Sequence, residues 1–202
     1  MNGSYGRAAT GLSGNTGWAV SEAAARVGAT GEKKTEAALA AFAGKAAVLH
    51  DLTVPIPGFK ANIDHVVVSG RRVMLIDTKV WKPGFYWTLA GVNRRGFDRV
   101  DHTAKDQSYI TRAVVSYLKG TGAEVSSPVL AVWSSRATGK ASTWALTVPG
   151  ASVIAGGALA GTVRRFITRK PADPAIVAKL SRLLVTAPAP SSYLDDADPF
   201  AA

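Results

Sequence analysis

Apolar residues along the chain follow two patterns, a helical spacing and short unbroken runs, and these patterns divide it into helices and strands. Residues 21–43 are rich in helix-forming residues around two interrupting glycines. A helix is predicted over 31–43, with Leu39, Phe42 and Ala43 as its core stripe. The run AAVLHDLTVPIPG, at 46–58, then predicts a strand that ends at its prolines.

Residues 61–82, ANIDHVVVSGRRVMLIDTKVWK, contain two apolar runs that meet at a glycine-containing turn. They predict a β-hairpin with strands at 61–68 and 72–80. Each strand carries an acid where a buried strand would have an aliphatic residue, Asp64 in the first and Asp77 in the second. These two acids make the hairpin the candidate functional segment.

The remaining segments again alternate between helix and strand. Residues 81–100 mix turn formers with aromatic and basic side chains and predict one short strand, at about 86–89, inside an exposed loop. Apolar residues at 110, 114, 115 and 118 predict a helix that ends at Gly120. Strands are predicted in PVLAVWSS, TWALTV and ASVIAG, and helices in ALAGTVRRFIT and PAIVAKLSRLLV, the last one capped by Asp173.

This order of elements predicts an α/β domain bordering on α+β, with a mixed central sheet flanked by helices. One domain is expected over 21–188, with a flexible leader at 1–20 and an acidic tail at 189–202. The leader has no continuous apolar segment of the kind found in secretion signals, and no apolar run reaches the roughly 20 residues that span a bilayer. A cytoplasmic protein is therefore expected.

The register of the hairpin decides whether its two acids meet. A two-residue turn at 70–71 pairs Ser69 with Arg72. The same register places Asp64 opposite Asp77. Directly opposed residues of an antiparallel pair have Cβ atoms about 4.5–5.5 Å apart on one face. Two aspartates so placed repel each other, and the repulsion grows if the face is buried.

A hard divalent cation such as Mg²⁺ would neutralise this pair, because it takes carboxylate oxygens as ligands. Side chains alternate along a strand, so Lys79 lies on the same face as Asp77. Its ammonium can there hold a phosphate oxygen, position a water or stabilise developing charge. The alternative is that both aspartates lie at strand ends in solvent and that Lys79 only balances their charge.

Charge and composition narrow the chemistry further. The formal net charge is +10, although the final segment SSYLDDADPFAA holds three aspartates and no lysine or arginine. Such an excess attracts polyanions, either nucleic acid or an anionic membrane surface. The chain has no cysteine, which excludes disulfides and thiolate metal sites. A metal ion would therefore need oxygen or imidazole ligands.

Four segments together resemble the nuclease-related domain, NERD, of the PD-(D/E)XK nuclease superfamily: GATGEKKTEAAL, LHDLTVP, NIDHVVVSGRRVMLIDTKVW and DQSYITRAV. The resemblance covers residues 28–118 and is strongest at NIDHVVV and IDTKVW. It implies a restriction-endonuclease-like core and a nuclease that uses Mg²⁺ or Mn²⁺. The implied partner is DNA, with RNA not excluded.

The resemblance also implies roles for residues of the hairpin. Asp64 and Asp77 would be metal ligands, the backbone carbonyl of Thr78 would complete the coordination, and Lys79 would be the catalytic lysine. The commoner motif has glutamate at the position of Asp77. The superfamily contains both acids, so the shorter side chain does not imply an inactive site.

The resemblance also implies two site residues outside the hairpin. Glu32, on the first helix, would be a further acidic catalytic residue and metal ligand, although Glu36, one turn later, can take its place. Gln107, on the later helix, would be a polar residue facing the acids. Without the resemblance, Glu32 would be interpreted as a partner of the helix dipole and Gln107 as a solvated residue. His65 alternates away from Asp64 and is expected to be a packed or hydrogen-bonded imidazole.

Basic and aromatic residues after the hairpin are candidates for contacts with phosphates and bases: Lys82, Arg94, Arg95, Arg99, Trp81 and Trp87. The leading hypothesis is a divalent-metal-dependent deoxyribonuclease, in particular an endonuclease. The alternative is a non-catalytic nucleic-acid-binding module on a nuclease scaffold, within a larger assembly. A membrane partner is not expected, because it would rest on charge alone. Nucleases that cut both strands often pair, so a homodimer is also considered.

Overall fold

The computed structural model describes residues 1–10, 22–59, 61–101 and 106–185. The α-helices are α1 (Glu22–Ala40), α2 (Ser108–Tyr117), α3 (Leu159–Phe166) and α4 (Pro174–Ser181). The first strands are β1 (Gly3–Tyr5), β2 (Ala47–Thr53), β3 (Asn62–Ser69), β4 (Arg72–Trp81), β5 (Gly84–Leu89) and β6 (Val92–Arg95). They are followed by β7 (Asp98–Arg99), β8 (Glu124–Val125), β9 (Val129–Ser134), β10 (Ala141–Ala145) and β11 (Ser152–Ala155).

The larger sheet is mixed, and its path is β1-β2-β3-β4-β9-β11, with β8 also paired to β4. The strands β2, β3 and β4 are antiparallel neighbours, whereas β9 runs parallel to both β4 and β11. Parallel neighbours need a crossover connection: the one from β1 to β2 contains α1, the one from β4 to β9 contains α2, and the one from β9 to β11 passes through β10. The mixed sheet predicted from the sequence is therefore confirmed.

Helices cover both faces of this sheet. On one face, α2 and α4 pack on the odd positions of β4, such as Val73 and Leu75. On the other, α1 and α3 pack on the even positions, such as Met74 and Ile76. Both rows of β4 are buried, which explains why its sequence is a continuous apolar run and not an alternating one.

The hairpin has the predicted register. Its ladder runs from Ser69 opposite Arg72 to His65 opposite Ile76. Gly70 takes a φ of 58° in the turn, a conformation that glycine adopts without a steric penalty. The observed strands are Asn62–Ser69 and Arg72–Trp81; the second begins at the predicted residue, and the other three bounds differ from the prediction by one residue each.

A second sheet replaces the predicted exposed loop. Residues 84–99 form the antiparallel strands β5, β6 and β7, and β10 joins them alongside β5. The sequence predicts one short strand here, because its glycines and polar residues suggest a loop. Most of those glycines lie in turns with positive φ, including Gly91 and Gly96. These glycines therefore form the turns between successive antiparallel strands.

The sequence predicts a flexible leader over 1–20, but part of it is ordered in the sheet. β1 pairs with β2 as an edge strand, and the Asn2 side chain donates to the Gly44 carbonyl and accepts from the Ala172 amide. These long-range contacts are invisible in the local sequence. The rest of the leader, 11–20, and the acidic tail, 189–202, lie outside the described residues. No described helix has both the length and the apolar character needed to cross a membrane.

Candidate active site

The two aspartates of the hairpin lie where the ladder between β3 and β4 stops. The last pair that the structure records is His65 with Ile76, and Asp64 and Asp77 are the next residues along each strand. The Asp64 carboxylate accepts a 2.6 Å hydrogen bond from the backbone N–H of Thr78. A side chain thus takes over an amide that β3 would otherwise bind through its backbone, and the strands separate beside the acids.

Lys79 completes this part of the site. Its ammonium donates to Asp77 Oδ1 at 2.9 Å and lies 2.7 Å from Oδ2. The Lys79 side chain is 40% exposed, whereas that of Asp77 is 16% exposed. The alternative of two solvated aspartates at strand ends therefore does not hold, because Asp77 is largely buried while the ammonium can still reach solvent.

The first helix contributes Glu32 and not Glu36 to the acidic group. Glu32 Oε2 accepts a 2.8 Å hydrogen bond from the Ala9 amide, and the charges of Asp77 and Lys79 act on its carboxyl. Glu36 lies one turn further on, where its charge acts on His50. The structure thus favours Glu32 over Glu36 as the neighbour of these acids, and its role as a catalytic residue or metal ligand stays a prediction.

Asp51 is a further acid that sequence reasoning missed. It is 3% exposed, and its carboxylate accepts a 2.7 Å hydrogen bond from the Asn62 side chain. Its φ of 56° is unusual for a residue other than glycine. Its charge raises the pKa of Glu32. The signal in the sequence was an acid inside the apolar run AVLHDLT, in the same kind of position as the two acids of the hairpin.

Crowding of these acids changes their protonation. Burial raises the pKa of Asp64 well above its usual range, and the charges of Asp77 and Glu32 raise it further. Burial and the Asp51 charge raise the pKa of Glu32 to about 7. Burial alone would lower the pKa of Lys79, but the neighbouring Asp77 and Asp64 outweigh it and raise the pKa. Lys79 is therefore a cation at neutral pH, whereas the raised pKa values of Asp64 and Glu32 make these two carboxyl groups resist ionisation.

The second helix places Tyr109 near the acids. Burial raises the pKa of its phenol, and the charge of Asp77 adds to the shift. Gln107 forms the N-terminal cap of α2, and its backbone N–H donates to the Pro149 carbonyl. Its proposed side-chain role at the site stays a prediction. Tyr109, two residues later, was missed because a tyrosine on a helix face carries no signal of its own.

The buried histidines belong to the fold and face away from Asp64, as predicted for His65. The Nδ1 atoms of His50 and His65 lie 2.8 Å apart, so one ring donates to the other. His50 Nε2 lies 3.2 Å from the Ser4 hydroxyl. Burial lowers the pKa of both rings, which keeps them neutral. His102 lies outside the described residues.

The carboxylates of this site are the ligand type that a hard cation prefers, but their present positions do not yet form a complete metal site. Asp77 Oδ2 is buried, and no described group donates a well-formed hydrogen bond to it. A cation would occupy that oxygen and relieve the repulsion that raises the pKa of Asp64. Within the described ranges, however, no three acid or imidazole side chains are grouped closely enough to hold a metal ion as they stand. The fit therefore rests on the carboxylate pair, with further ligands to be drawn in.

The candidate residues for nucleic-acid contacts fall into two groups, those that are held within the packing of the second sheet and those that are exposed. Trp81 packs in the core against Tyr86 and is 7% exposed, so its buried ring does not face a ligand. Arg95 is ion-paired with Asp98 at 3.5 Å and hydrogen-bonds to the Tyr86 phenol. The others are partly or fully exposed: Lys82, Trp87, Arg94 and Arg99.

The chain also matches a family of known proteins. The model of the nuclease-related domain, NERD, matches residues 27–132, which is a little over half of the 202 residues. The matched segment begins in α1 and ends in β9, so it includes Glu32, the hairpin and α2. No curated protein and no solved structure matches the chain.

Proposed function

The chain belongs to the nuclease-related domain family, and from that premise we propose that it is a divalent-metal-dependent endonuclease that hydrolyses phosphodiester bonds of DNA. The observation that carries the proposal is the open end of the hairpin. There Asp64, Asp77 and Lys79 meet, and the buried Asp77 Oδ2 is ion-paired with the Lys79 ammonium at 2.7 Å but accepts no well-formed hydrogen bond from the described residues. A protein that only bound nucleic acid would have no use for buried acids that repel phosphates.

Asp64 and Asp77 would hold the cation, Mg²⁺ or Mn²⁺, with Glu32 as a further acid. The N–H of Thr78 points to Asp64, and the N–H and C=O of one strand residue point toward the same neighbour. The Thr78 carbonyl is thus directed to the side on which it can add a ligand. The cation would supply Lewis acidity toward a phosphate oxygen and would make water more acidic.

Lys79 would act as a fixed positive charge. Its raised pKa keeps the ammonium protonated, so it serves as a hydrogen-bond donor and not as a base. Asp77 holds one side of the ammonium, and its exposure leaves other donors for a nonbridging phosphate oxygen or an attacking water. The Thr78 hydroxyl, which donates to Thr35 at 2.9 Å, anchors β4 to α1 and so fixes the strand between the two reactive residues.

Backbone contacts would come from the positive surface near the site. The net charge of +10 favours DNA in a sequence-independent way. Lys82, Arg94 and Arg99 lie just beyond the strand that carries Lys79 and would bind phosphates along the substrate. Arg95 is held on the inner side of its sheet and would contribute mainly to the local field.

Cleavage of supercoiled plasmid and of linear single-stranded and double-stranded DNA tests the proposal. We expect cutting with Mg²⁺ or Mn²⁺ and none with EDTA. Asp77→Asn and Lys79→Met should abolish cutting while binding in EDTA is retained. Opening of the plasmid to a nicked circle would indicate one active site per event, and direct linearisation would indicate a homodimer.

Glu124→Gln is the matched control. Glu124 is an exposed acid beside Arg72, at the other end of β4, so its loss should leave cleavage unchanged. If the wild type binds DNA but cuts none of these substrates with any divalent metal, the enzyme proposal is wrong. The chain would then be a nucleic-acid-binding module that keeps the scaffold of the family.

A further inference from the structure

The second sheet turns an aromatic face to solvent. Tyr86 of β5 is buried against the main sheet, so alternation places its neighbours Phe85, Trp87 and Leu89 on the outer side. Across the pair, Arg94 lies opposite Trp87 and shares that side. We call this surface the stacking face, and its members are Phe85, Trp87, Arg94 and Trp144.

Trp144 is the most exposed aromatic residue of this face. It is 83% exposed and Phe85 is 39% exposed, yet their ring centroids lie 5.4 Å apart with planes tilted by 34°. The pairing of β10 with β5 shifts register between Ser142 and Ala145, so one extra residue is accommodated there. Such a bulge turns a side chain out of its regular direction, and here it directs an indole toward solvent beside the Phe85 ring.

Hydrogen bonds hold the neighbouring side chains in place. The Trp87 indole N–H donates to the Gly96 carbonyl at 2.7 Å. The Arg94 guanidinium donates to the Phe97 carbonyl at 3.1 Å. Both are anchored by the turn between β6 and β7, whose Phe97 is itself 95% exposed. An indole fixed in the way that Trp87 is loses little entropy when a ligand stacks on it.

The charge of the same segment identifies a polyanion as the occupant. Between residues 82 and 99 there are four cations and one acid. Arg136 and Lys140, both exposed, lie in the loop that leads from β9 into β10. Arg99 is ion-paired with Asp101, so Arg94 is the cation placed best within the face. Aromatic rings among cations suit a single strand of nucleic acid, because its bases can stack on the rings while its phosphates bind the cations.

The second sheet directly follows the strand of the proposed active site along the chain. Asp77 and Lys79 lie on β4, and a link of two residues, 82–83, joins the end of β4 to the start of β5. Trp81 and Tyr86 pack together with Leu130 and Val132 of β9, which fixes the second sheet against the end of the main one. A strand of DNA leaving the acids along β4 would therefore meet the stacking face next.

We infer that the stacking face binds unpaired bases, and that the substrate class is DNA with a single-stranded region. This inference rests on the proposed nuclease function, because it extends the path of the same substrate. Bases in a duplex are stacked on one another and expose only their edges, so rings on this face can be met only by bases that are unpaired. The family match ends at residue 132, before β10, so Trp144 is a feature of this chain outside the match.

Binding measured in EDTA tests the inference apart from cleavage. We would compare a fluorescent oligothymidine with an abasic oligomer of the same length, which keeps the phosphates and lacks the bases. The wild type should bind the oligothymidine about 5-fold or more tighter, as one stacked base provides. Phe85→Ala with Trp144→Ala should lose most of this preference, because Trp87 then remains as the last ring of the stacking face.

Two further variants separate stacking from simple loss of apolar surface. Trp144→Phe keeps a ring and should retain most of the preference for bases. Leu89→Ala removes an exposed side chain, 58% exposed, from the outer side without touching a ring, and should leave the preference intact. Circular dichroism and thermal unfolding check that each variant folds, as expected for surface positions.

The outcomes separate the two proposals. If the wild type cuts DNA but binds both oligomers equally, or if the double variant keeps the preference, the stacking face is wrong and the nuclease stands. If the wild type prefers bases but cuts nothing, the nuclease proposal is wrong and base binding stands. Concentration-dependent self-association that is abolished in the double variant, without any preference for bases, would assign the face to a second copy of the chain and overturn the inference.

Discussion

Asp64 supports the strands through a hydrogen bond, but its negative charge is unfavourable among the neighbouring acids. Its carboxylate accepts from the Thr78 amide and so supports the strands, yet it lies among acids that raise its pKa. A group in this position costs stability at neutral pH, where its ionised form is disfavoured. The cost is typical of reactive sites, whose residues are placed for chemistry and not for stability.

Asp64→Asn should therefore stabilise the protein and inactivate it. The amide oxygen can still accept from Thr78, while the negative charge is removed. We expect the free energy of unfolding in EDTA to rise by roughly 1–3 kcal/mol, measured by urea denaturation, and cleavage to be lost. Glu124→Gln, which removes an exposed charge, should change the free energy by less than about 0.5 kcal/mol. A less stable Asn variant would contradict this account of the acidic group.

Glu32 should give the metal-free protein a pH-dependent stability. Its pKa is raised to about 7 in the folded chain, above the value of an unfolded glutamate, so the folded state holds its proton more tightly. Stability from this group is therefore present at low pH and is lost as pH rises through the window up to about 7. Asp64 acts in the same direction.

The substitution Glu32→Gln tests whether the stability contributed by Glu32 falls as pH rises. Gln is neutral at every pH, so the variant should gain stability over the wild type as pH rises, by about 1–3 kcal/mol between about pH 5 and about pH 8. Urea denaturation in EDTA at both pH values measures the difference. An advantage that is equal at both, or larger at the lower pH, would show that Glu32 does not titrate in this way.

At the scale of elements, α1 is placed by a close contact with β4. A Cβ at Gly31 would lie 2.3 Å from the Val80 methyl and 3.2 Å from that of Thr78. Since Glu32 is the next residue, the distance between helix and strand also sets the position of its carboxylate. The glycine that interrupts the helix pattern in the sequence is thus a packing residue.

Gly31→Ala and Gly28→Ala form a matched pair on this helix. We expect Gly31→Ala to cost about 1–3 kcal/mol through overpacking and to lower cleavage, because α1 must move away from β4. Gly28 has open space at its Cβ position, so alanine there should stabilise by up to about 1 kcal/mol and leave cleavage unchanged. Thermal unfolding and the plasmid assay measure both. Equal effects of the two substitutions would argue against a helix seated on β4 through Gly31.

At the scale of the whole molecule, the excess of positive charge should make DNA binding strongly dependent on salt. The logarithm of the binding constant should fall linearly with the logarithm of the salt concentration. Arg94→Gln should reduce the slope by about 1, as the loss of one phosphate contact does. Anisotropy titrations with the oligothymidine over a salt series measure the slope.

Arg71→Gln is the control for charge alone. Arg71 is an exposed arginine in the hairpin turn, where it donates to the Gly122 carbonyl, and it lies at the other end of β4 from the acids. Its loss removes the same charge but should leave the slope unchanged. Equal slopes for both arginine variants and the wild type would mean that DNA does not follow the second sheet.

The sequence predicted the strand pairing at the candidate site better than the structure around it. The hairpin register followed from the turn and from the apolar runs, and it placed Asp64, Asp77 and Lys79 at one end of two strands. Tyr109 could not be predicted, because a tyrosine on a helix face carries no signal of its own, whereas Asp51 was missed although it is an acid inside the apolar run AVLHDLT. The choice of Glu32 over Glu36 depended on the rotation of α1, which only packing fixes.

The sequence by itself determined the pattern of buried strands, the pairing of β3 with β4 and the family resemblance, because these depend on alternation and on residues close along the chain. The tertiary structure alone decided what long-range packing controls. It turned the predicted loop at 84–99 into a sheet, paired it with β10 from a distant segment and buried Trp81. It also brought Trp144 against Phe85, since contacts between residues far apart in the chain leave no periodic signal along it.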